Sequence, residues 1–356
     1  MQRARSNYAS TTRLILLLTA CAAKPEKPMR RTIGVLVKEG SGAWPPPASV
    51  AGRVNFYRGG DAASLQAQTD TLDALVWVPG VAGAEATKAF EALGPKWVHS
   101  FSAGVDGLAP FLASEALAAR PTPLSNGRGA FSSSLAEYVL AAALHFNKQL
   151  PRCARNRDAK RWDAFTMDVL AGKTMGFVGW GHIAKTSARL AEAFGMKTIA
   201  CRRDPGKADA DGEPAPGATF GVEDKLEVFK RSDFVVCSLP GTQATRDFCG
   251  GPEFAAMKSS GVFISLGRGA AVDEGALVDA LATGAIAGAA LDVYKVEPLP
   301  EASALWGLGD KVLLTAHNAD LTADYFELGW DVFAANLDAW EGGADLATPF
   351  DPALGY

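Results

Sequence analysis

The run Gly179-Trp180-Gly181-His182-Ile183-Ala184 restricts this chain more than any other feature. It fits G-x-G-x-x-G/A, a weak pattern alone. Here it follows a strand-like run, Thr174–Val178, and opens a helical run, Ile183–Phe194, that Gly195 ends. In that setting each small residue has a physical reason. The first glycine permits the tight turn, the second admits a close approach to the backbone, and Ala184 keeps helix near strand. The helix start then offers free N–H groups and a positive dipole end, the surroundings a pyrophosphate needs.

The neighbouring segments repeat the same alternation. Before the turn, Thr32–Val37, Ala74–Val78 and Lys96–Ser100 read as short strands, with helical spacing over Glu85–Leu93. After it, Thr198–Cys201, Phe234–Cys237, Val262–Ser265, Ile286–Leu291 and Val312–Thr315 read as strands. Helices are expected at Glu223–Lys230, near Glu253–Met257 and over Asp273–Ala282. A longer helix is expected over Ser133–Lys148, capped by Ser132 or Ser133 and punctuated by Pro151, with small residues suited to close packing between domains. Such alternation predicts α/β architecture with parallel sheets and crossover helices. At 356 residues the chain is long for one core, so two domains are expected. The tail helix Ala323–Trp340 is expected to return to the first of them.

Composition narrows the partners. A net charge of −4 with scattered Lys and Arg leaves no electrostatic footprint for nucleic acid. The five cysteines contain no C-x-x-C pair, so neither a metal site nor a disulfide framework is expected, and a reducing compartment fits. Cys201 and Cys237 read as small buried hydrophobes. Residues 1–28 have a targeting composition: Arg3, Arg5 and Arg13 precede the apolar run Leu14–Ala23, which is too short to span a bilayer. A transit peptide, a secretory signal and a start at Met29 are the competing readings; the cargo argues against export, so a cytoplasmic or organellar compartment is expected. The mature form is expected to involve no membrane.

The strand after the glycine-rich turn runs into Arg202-Arg203, where an acid is expected if the cofactor is NAD. Guanidinium groups grip a 2′-phosphate, so NADP is favoured. NAD remains the alternative, with both arginines on a solvated turn, and Asp204 stands too late to serve as the acid. Three further residues each follow a strand-like segment: Arg268 in Gly267-Arg268-Gly269, Glu297, and His317. A fixed cation stabilises negative charge on a carbonyl oxygen, and an imidazole moves a proton near neutral pH. A carboxylate beside that imidazole orients it and supports its charged form.

These pieces resemble the D-isomer-specific 2-hydroxyacid dehydrogenase family, the glyoxylate/hydroxypyruvate reductase type included. The resemblance covers about residues 95 to 340. It rests most on Gly179–Ala184, Leu266–Asp273, Leu291–Pro300 and Leu314–Asn318, and less on Ser102–Asp106, Leu135–Glu137 and Leu239–Thr245. It implies a Rossmann-type doubly wound parallel sheet over 127–319, and a smaller flavodoxin-like α/β substrate domain built from 29–126 and 320–356. It also implies reduction of a small 2-keto acid to the D-2-hydroxy acid, and a homodimer. In that reading Arg268 holds the substrate carboxylate and polarises the keto oxygen. His317 is the general acid and Glu297 its partner. Ala103 and Gly104 offer backbone N–H groups to the substrate carboxylate. Gly179, Trp180, Gly181, His182, Ile183, Arg202, Arg203, Leu239, Pro240, Thr245, Leu266 and Gly267 line the cofactor, and Asp292 stands beside the nicotinamide amide. Trp77 and Trp330 are candidates for the cleft wall or plain core.

Two departures from the family pattern stand out. Ala316 takes the place of a frequent proline, and Asp320 falls where many relatives carry a small or aromatic residue. Rival readings stay within the scaffold. A formate type is disfavoured because it carries glutamine at the place of Glu297. A phosphoglycerate-type enzyme is harder to separate. A nucleotide-sensing corepressor keeps the same triad, but no partner groove, tail or nuclear signal is visible to support it.

Overall fold

The computed structural model describes residues 30–209, 213–352 and 354–355. The expected extension at 1–28 lies outside these residues. No helix among the described residues is long and apolar enough to cross a membrane.

Two parallel sheets organise the chain. The first contains β1 (Thr32–Leu36), β2 (Asn55–Gly59), β3 (Ala74–Trp77), β4 (Val98–Ser100) and β5 (Leu124–Asn126), in the order β2-β1-β3-β4-β5. The second contains β6 (Thr174–Val178), β7 (Lys197–Cys201), β8 (Thr219–Phe220), β9 (Phe234–Cys237), β10 (Val262–Ser265), β11 (Gly288–Leu291) and β12 (Val312–Leu314). Its order is β12-β11-β10-β9-β6-β7-β8. The first is the flavodoxin-like order. The second is the Rossmann order extended by one strand, with its reversal between β6 and β9.

Strands β3, β9, β10 and β11 are buried at every position, so helices cover both faces. This is why they read as unbroken apolar runs rather than alternating ones. β2 and β5 escaped the sequence reading for the opposite reason. β2 (NFYRG) is an edge strand with only Gly59 buried, and β5 (LSN) buries polar residues.

Helix Ser132–Asn147 packs on helix His182–Ala193 and the core of the larger sheet, through Leu135, Val139, Leu140 and Ala143. Its cap differs from the expectation. Phe131 holds the N-cap position with no side-chain bond, and Ser132 already lies inside the helix. Phe131 instead stacks flat on Tyr325, so ring packing fixes the helix entry where a hydroxyl was expected.

The tail helix, Tyr325–Glu341, returns to the first sheet as expected. Trp330, Phe333 and Leu337 share a core with Ile33, Val35, Val76 and Trp97. Trp330 meets Phe56, Phe101 and Phe333 edge-on, contacts worth about 0.5–1.5 kcal/mol each beyond burial. Trp330 and Trp77 are 1% and 3% exposed and donate their indole N–H groups to Ala43 O and Val81 O. Both are core residues and neither walls a cleft. Cys201 and Cys237 are buried in strands, as expected.

Candidate active site

The strand order reverses between β6 and β9, and in open parallel sheets ligands usually bind beyond the carboxyl ends of the strands at such a point. Gly179 leaves β6 at φ +95°, a region costly for any residue with a Cβ. A Cβ there would also press to 3.1 Å from Leu239 Cδ2, on the loop that leaves β9. Gly181 forms the N-cap of the twelve-residue helix His182–Ala193 with no side-chain cap, and a Cβ on it would meet open space. The protein's own packing therefore does not require glycine at 181. Close approach of a phosphate group to the helix start would require it. His182 begins the helix with its ring near Gly129, and Ile183 packs on the core beneath.

The other expected cofactor residues converge on this edge. Leu239 and Pro240 are half-buried on the loop after β9, which Thr245 folds by donating to Pro240 O at 2.5 Å. Leu266 is buried after β10, and Gly267 lies so close to Leu239 that a Cβ would reach 2.3 Å from its carbonyl oxygen. Arg202 leaves β7 with its guanidinium on Asp209, and Arg203 is exposed on the same turn.

Arg268, Glu297 and His317 follow β10, β11 and β12, three adjacent parallel strands, so topology delivers all three to one sheet edge. Contacts then lock them together. Gly269 is pressed against the Tyr294 backbone, where a Cβ would lie 2.0 Å from the Tyr294 carbonyl. The Tyr294 N–H donates to Glu297 Oε1 at 2.9 Å, and Glu297 Oε2 meets His317 Nδ1 at 2.7 Å. Nδ1 is thereby engaged, which leaves Nε2 as the imidazole nitrogen for other work. His317 itself adopts φ +51°, a strained conformation for a residue with a side chain.

Asp292 holds that strain in place. Its carboxylate, 1% exposed, accepts from Thr315 Oγ1 at 2.6 Å, Asn318 N at 3.1 Å and Ala319 N at 3.3 Å. Its carbonyl accepts the His317 N–H at 2.8 Å. Both carboxylate oxygens thus already serve the loop that carries the imidazole, a use the sequence reading did not foresee. Tyr138 extends the network through its hydroxyl to Thr315 Oγ1, and burial raises its pKa to about 12, so it stays neutral. Asp320 completes this edge. Burial, helped by the charge of Asp292, raises its carboxyl above the ordinary range, and the charges of His317 and Arg268 offset this only in part.

The first sheet supplies the opposite wall. The loop after β4 carries Ala103 and Gly104. Their carbonyls are held by Asn126 Nδ2 at 2.8 Å and Ser102 Oγ at 2.7 Å. Arg268 reaches this loop: its Nε donates to Asp106 Oδ2 at 2.8 Å and its Nη1 to Gly267 O at 2.9 Å. A Cβ on Gly104 would fall 1.4 Å from Arg268 Nη2, so only glycine admits the guanidinium here. Asp106 was visible within Ser102–Asp106 but carried no signal for this pairing, because its partner lies 162 residues away.

A Rossmann-type sheet with a glycine-rich turn, a seated cation and an imidazole–carboxylate pair define a nicotinamide-dependent oxidoreductase. Residues 140–319 match the model described as D-isomer specific 2-hydroxyacid dehydrogenase, NAD binding domain. The chain is 30% identical over 272 residues to an uncharacterised protein of Corynebacterium melassecola, covering 73% of this chain and 84% of that one. It is 37% identical over 174 residues to a glyoxylate reductase of Pyrococcus furiosus, covering 49% and 50% of the two chains. To a hydroxypyruvate reductase of Thermotoga maritima it is 33% identical over 204 residues, covering 56% and 63%. Among solved structures, it resembles the NADPH-dependent glyoxylate/hydroxypyruvate reductase of Sinorhizobium meliloti in complex with NADP and sulfate. There the TM-score is 0.74 at 25% identity, covering 92% of this chain and all of that one. The chain belongs to the D-isomer specific 2-hydroxyacid dehydrogenase family. It is an oxidoreductase of the CH–OH group of 2-hydroxy acids, with NAD or NADP as the fitting cofactor.

Proposed function

We propose that the chain reduces a small 2-keto acid of the glyoxylate or hydroxypyruvate kind to its D-2-hydroxy acid, with NADPH favoured over NADH. The observation that carries this is the Glu297–His317 contact at 2.7 Å, locked by Tyr294 to the turn that presents Arg268. The dinucleotide would lie along Gly179, Trp180, Gly181, His182 and Ile183, under Leu239 and Pro240, with Thr245, Leu266 and Gly267 shaping the same edge. Bound NADPH supplies the hydride. Arg268 and the N–H groups of Ala103 and Gly104 hold the substrate carboxylate. The guanidinium also faces the keto oxygen, where a fixed cation matters most as negative charge grows. His317 donates the Nε2 proton to that oxygen. Glu297 accepts from Nδ1 and supports the imidazolium before the step. Asp292 serves as a positioning residue for His317, and its Oδ2, with one bond at 3.3 Å, keeps a lone pair for the nicotinamide amide.

Arg202 and Arg203 at the end of β7 support NADP, and the Sinorhizobium meliloti structure contains that cofactor. The dinucleotide-binding part is taken as 127–319, with 29–126 and 320–356 as the substrate part. Homodimerisation is supported by Trp162, Met167 and Val169, exposed within one short segment of the nucleotide-binding part. A spectrophotometric panel tests the proposal: NADPH and NADH against glyoxylate, hydroxypyruvate, pyruvate and phosphohydroxypyruvate. Turnover of glyoxylate or hydroxypyruvate with NADPH is expected, and preference for phosphohydroxypyruvate would overturn the substrate reading. His317→Gln should cut kcat far more than cofactor binding, and a purely KM effect would refute its role.

A further inference from the structure

Three donors from three separate elements converge on one carboxylate beside the glycine-rich turn. The Trp180 indole N–H donates to Asp209 Oδ1 at 3.1 Å. Lys185 Nζ, from the first turn of the following helix, lies 2.9 Å from the same oxygen. Arg202 Nη1, immediately beyond β7, lies 3.3 Å from Oδ2 and 3.4 Å from Oδ1. The side chains of Asp209, Arg202 and Lys185 are only 10%, 13% and 21% exposed.

Two properties of this cluster are unusual for a structural ion pair. Two cations crowd one carboxylate, and Lys185 reaches a second, Glu213, only at 3.8 Å. The arginine also engages through one nitrogen at long range, not through the paired bonds its fork prefers. A dianion with three acceptor oxygens satisfies the same donors better, one oxygen for each. In a Rossmann sheet this corner, between the end of the second strand and the glycine-rich turn, receives the adenosine ribose and its 2′ substituent.

We propose that Asp209 is an internal stand-in for the 2′-phosphate of NADP(H). Its carboxylate occupies the subsite formed by Arg202, Lys185 and Trp180 and must leave when the phosphate enters. A bound 2′-phosphate and the Asp209 carboxylate cannot share those donors, since like charges would face each other within one pocket. NADP(H) affinity is then the strength of the phosphate contacts minus the strength of those to Asp209. NAD(H), lacking the phosphate, binds without that competition. Asp209 thereby sets how strongly the site distinguishes the two cofactors. This rests on the NADP reading above and adds to it a residue that opposes the arginines.

The test uses binding, not turnover. Adenosine 2′,5′-bisphosphate and 5′-AMP are titrated by calorimetry into the full chain and into Asp209→Asn, with thermal melts to confirm folding. Asp209→Ser replaces the asparagine variant if that one does not fold. The expected result is about tenfold tighter bisphosphate binding by Asp209→Asn, with 5′-AMP unchanged within about twofold. Arg202→Ala should weaken bisphosphate binding selectively. An unchanged or weaker bisphosphate affinity in Asp209→Asn overturns the proposal. So does a selective loss of 5′-AMP, which would make Asp209 the partner of a free ribose hydroxyl. The two readings fail separately. If the wild-type chain prefers 5′-AMP while Asp209→Asn prefers the bisphosphate, the NADP assignment falls and the internal competitor stands. If the wild type prefers the bisphosphate and the variant gains nothing, the competitor falls and the NADP assignment stands.

Discussion

Gly104→Ala asks whether Arg268 acts from the position the fold gives it. The added methyl would lie 1.4 Å from Nη2 and 2.6 Å from Cζ of Arg268, whereas ordinary contact begins near 3.4 Å. The guanidinium must therefore retreat by about 2 Å. It can do so, because the obstructed atom is the far end of a flexible side chain and Gly104 does not need a positive φ. The fold should accordingly be almost indifferent, within about 1 kcal/mol, since alanine also restricts the unfolded chain. Chemistry should not be indifferent. A 2 Å retreat breaks the 2.8 Å bond to Asp106 and removes the cation from the developing oxyanion. Displacements of about 1 Å cost roughly 10²-fold, and loss of one oxyanion donor about 10²–10³-fold. The expected fall in kcat/KM for the keto acid is therefore about 10²–10³-fold, some 2.7–4 kcal/mol of transition-state stabilisation. Steady-state NADPH oxidation measures it, with cofactor affinity by fluorescence titration as the control that should not move. A double-mutant cycle sharpens the result: in an Arg268→Ala background, Gly104→Ala should cost almost nothing further. A fall of less than about threefold in the single variant, or full additivity in the cycle, would refute the reasoning.

Three other outcomes follow from the same geometry. Glu297→Gln leaves an acceptor for the Tyr294 N–H but cannot stabilise an imidazolium, so kcat should drop about 10²-fold with cofactor affinity unchanged. Asp292→Asn turns an amide NH₂ toward donors now satisfied by a carboxylate oxygen. Urea unfolding should show a loss of about 1–3 kcal/mol, and an unchanged midpoint would count against the clamp on the His317 loop. His99, fully buried with Nδ1 on Ser125 Oγ, has its pKa lowered by burial to about 3. The unfolded chain then binds a proton that the folded chain refuses. Its contribution to stability is present above the ordinary imidazole range and lost as pH falls toward 3, at up to about 1.4 kcal/mol per pH unit. Urea melts of His99→Gln and wild type at several pH values should diverge with that slope, and parallel curves would contradict it.

Much of the scaffold is legible along the chain because its causes are local. A strand buried on both faces must be apolar throughout, so β3, β9, β10 and β11 announce themselves. Gly179 must be glycine at its φ, and the helix that follows keeps a period a reader can count. β2 and β5 were missed because an edge strand and a polar buried strand lack that pressure. The Phe131 cap was missed because a ring stacked on Tyr325, almost two hundred residues away, replaced the expected hydroxyl.

The reacting groups divide in the same way. Sequence alone determined that Arg268, Glu297 and His317 each follow a strand, because strand ends and turn motifs are short-range features. That the three meet was decided by the order β10-β11-β12, and by Gly269 seating on Tyr294. Asp106 on Arg268, and Asp209 between Arg202, Lys185 and Trp180, were likewise decided only by the folded chain. A carboxylate reveals its charge in sequence but not its partner. Partner choice depends on which surfaces the crossovers bring within about 3 Å, a property of the whole topology rather than of any window of residues.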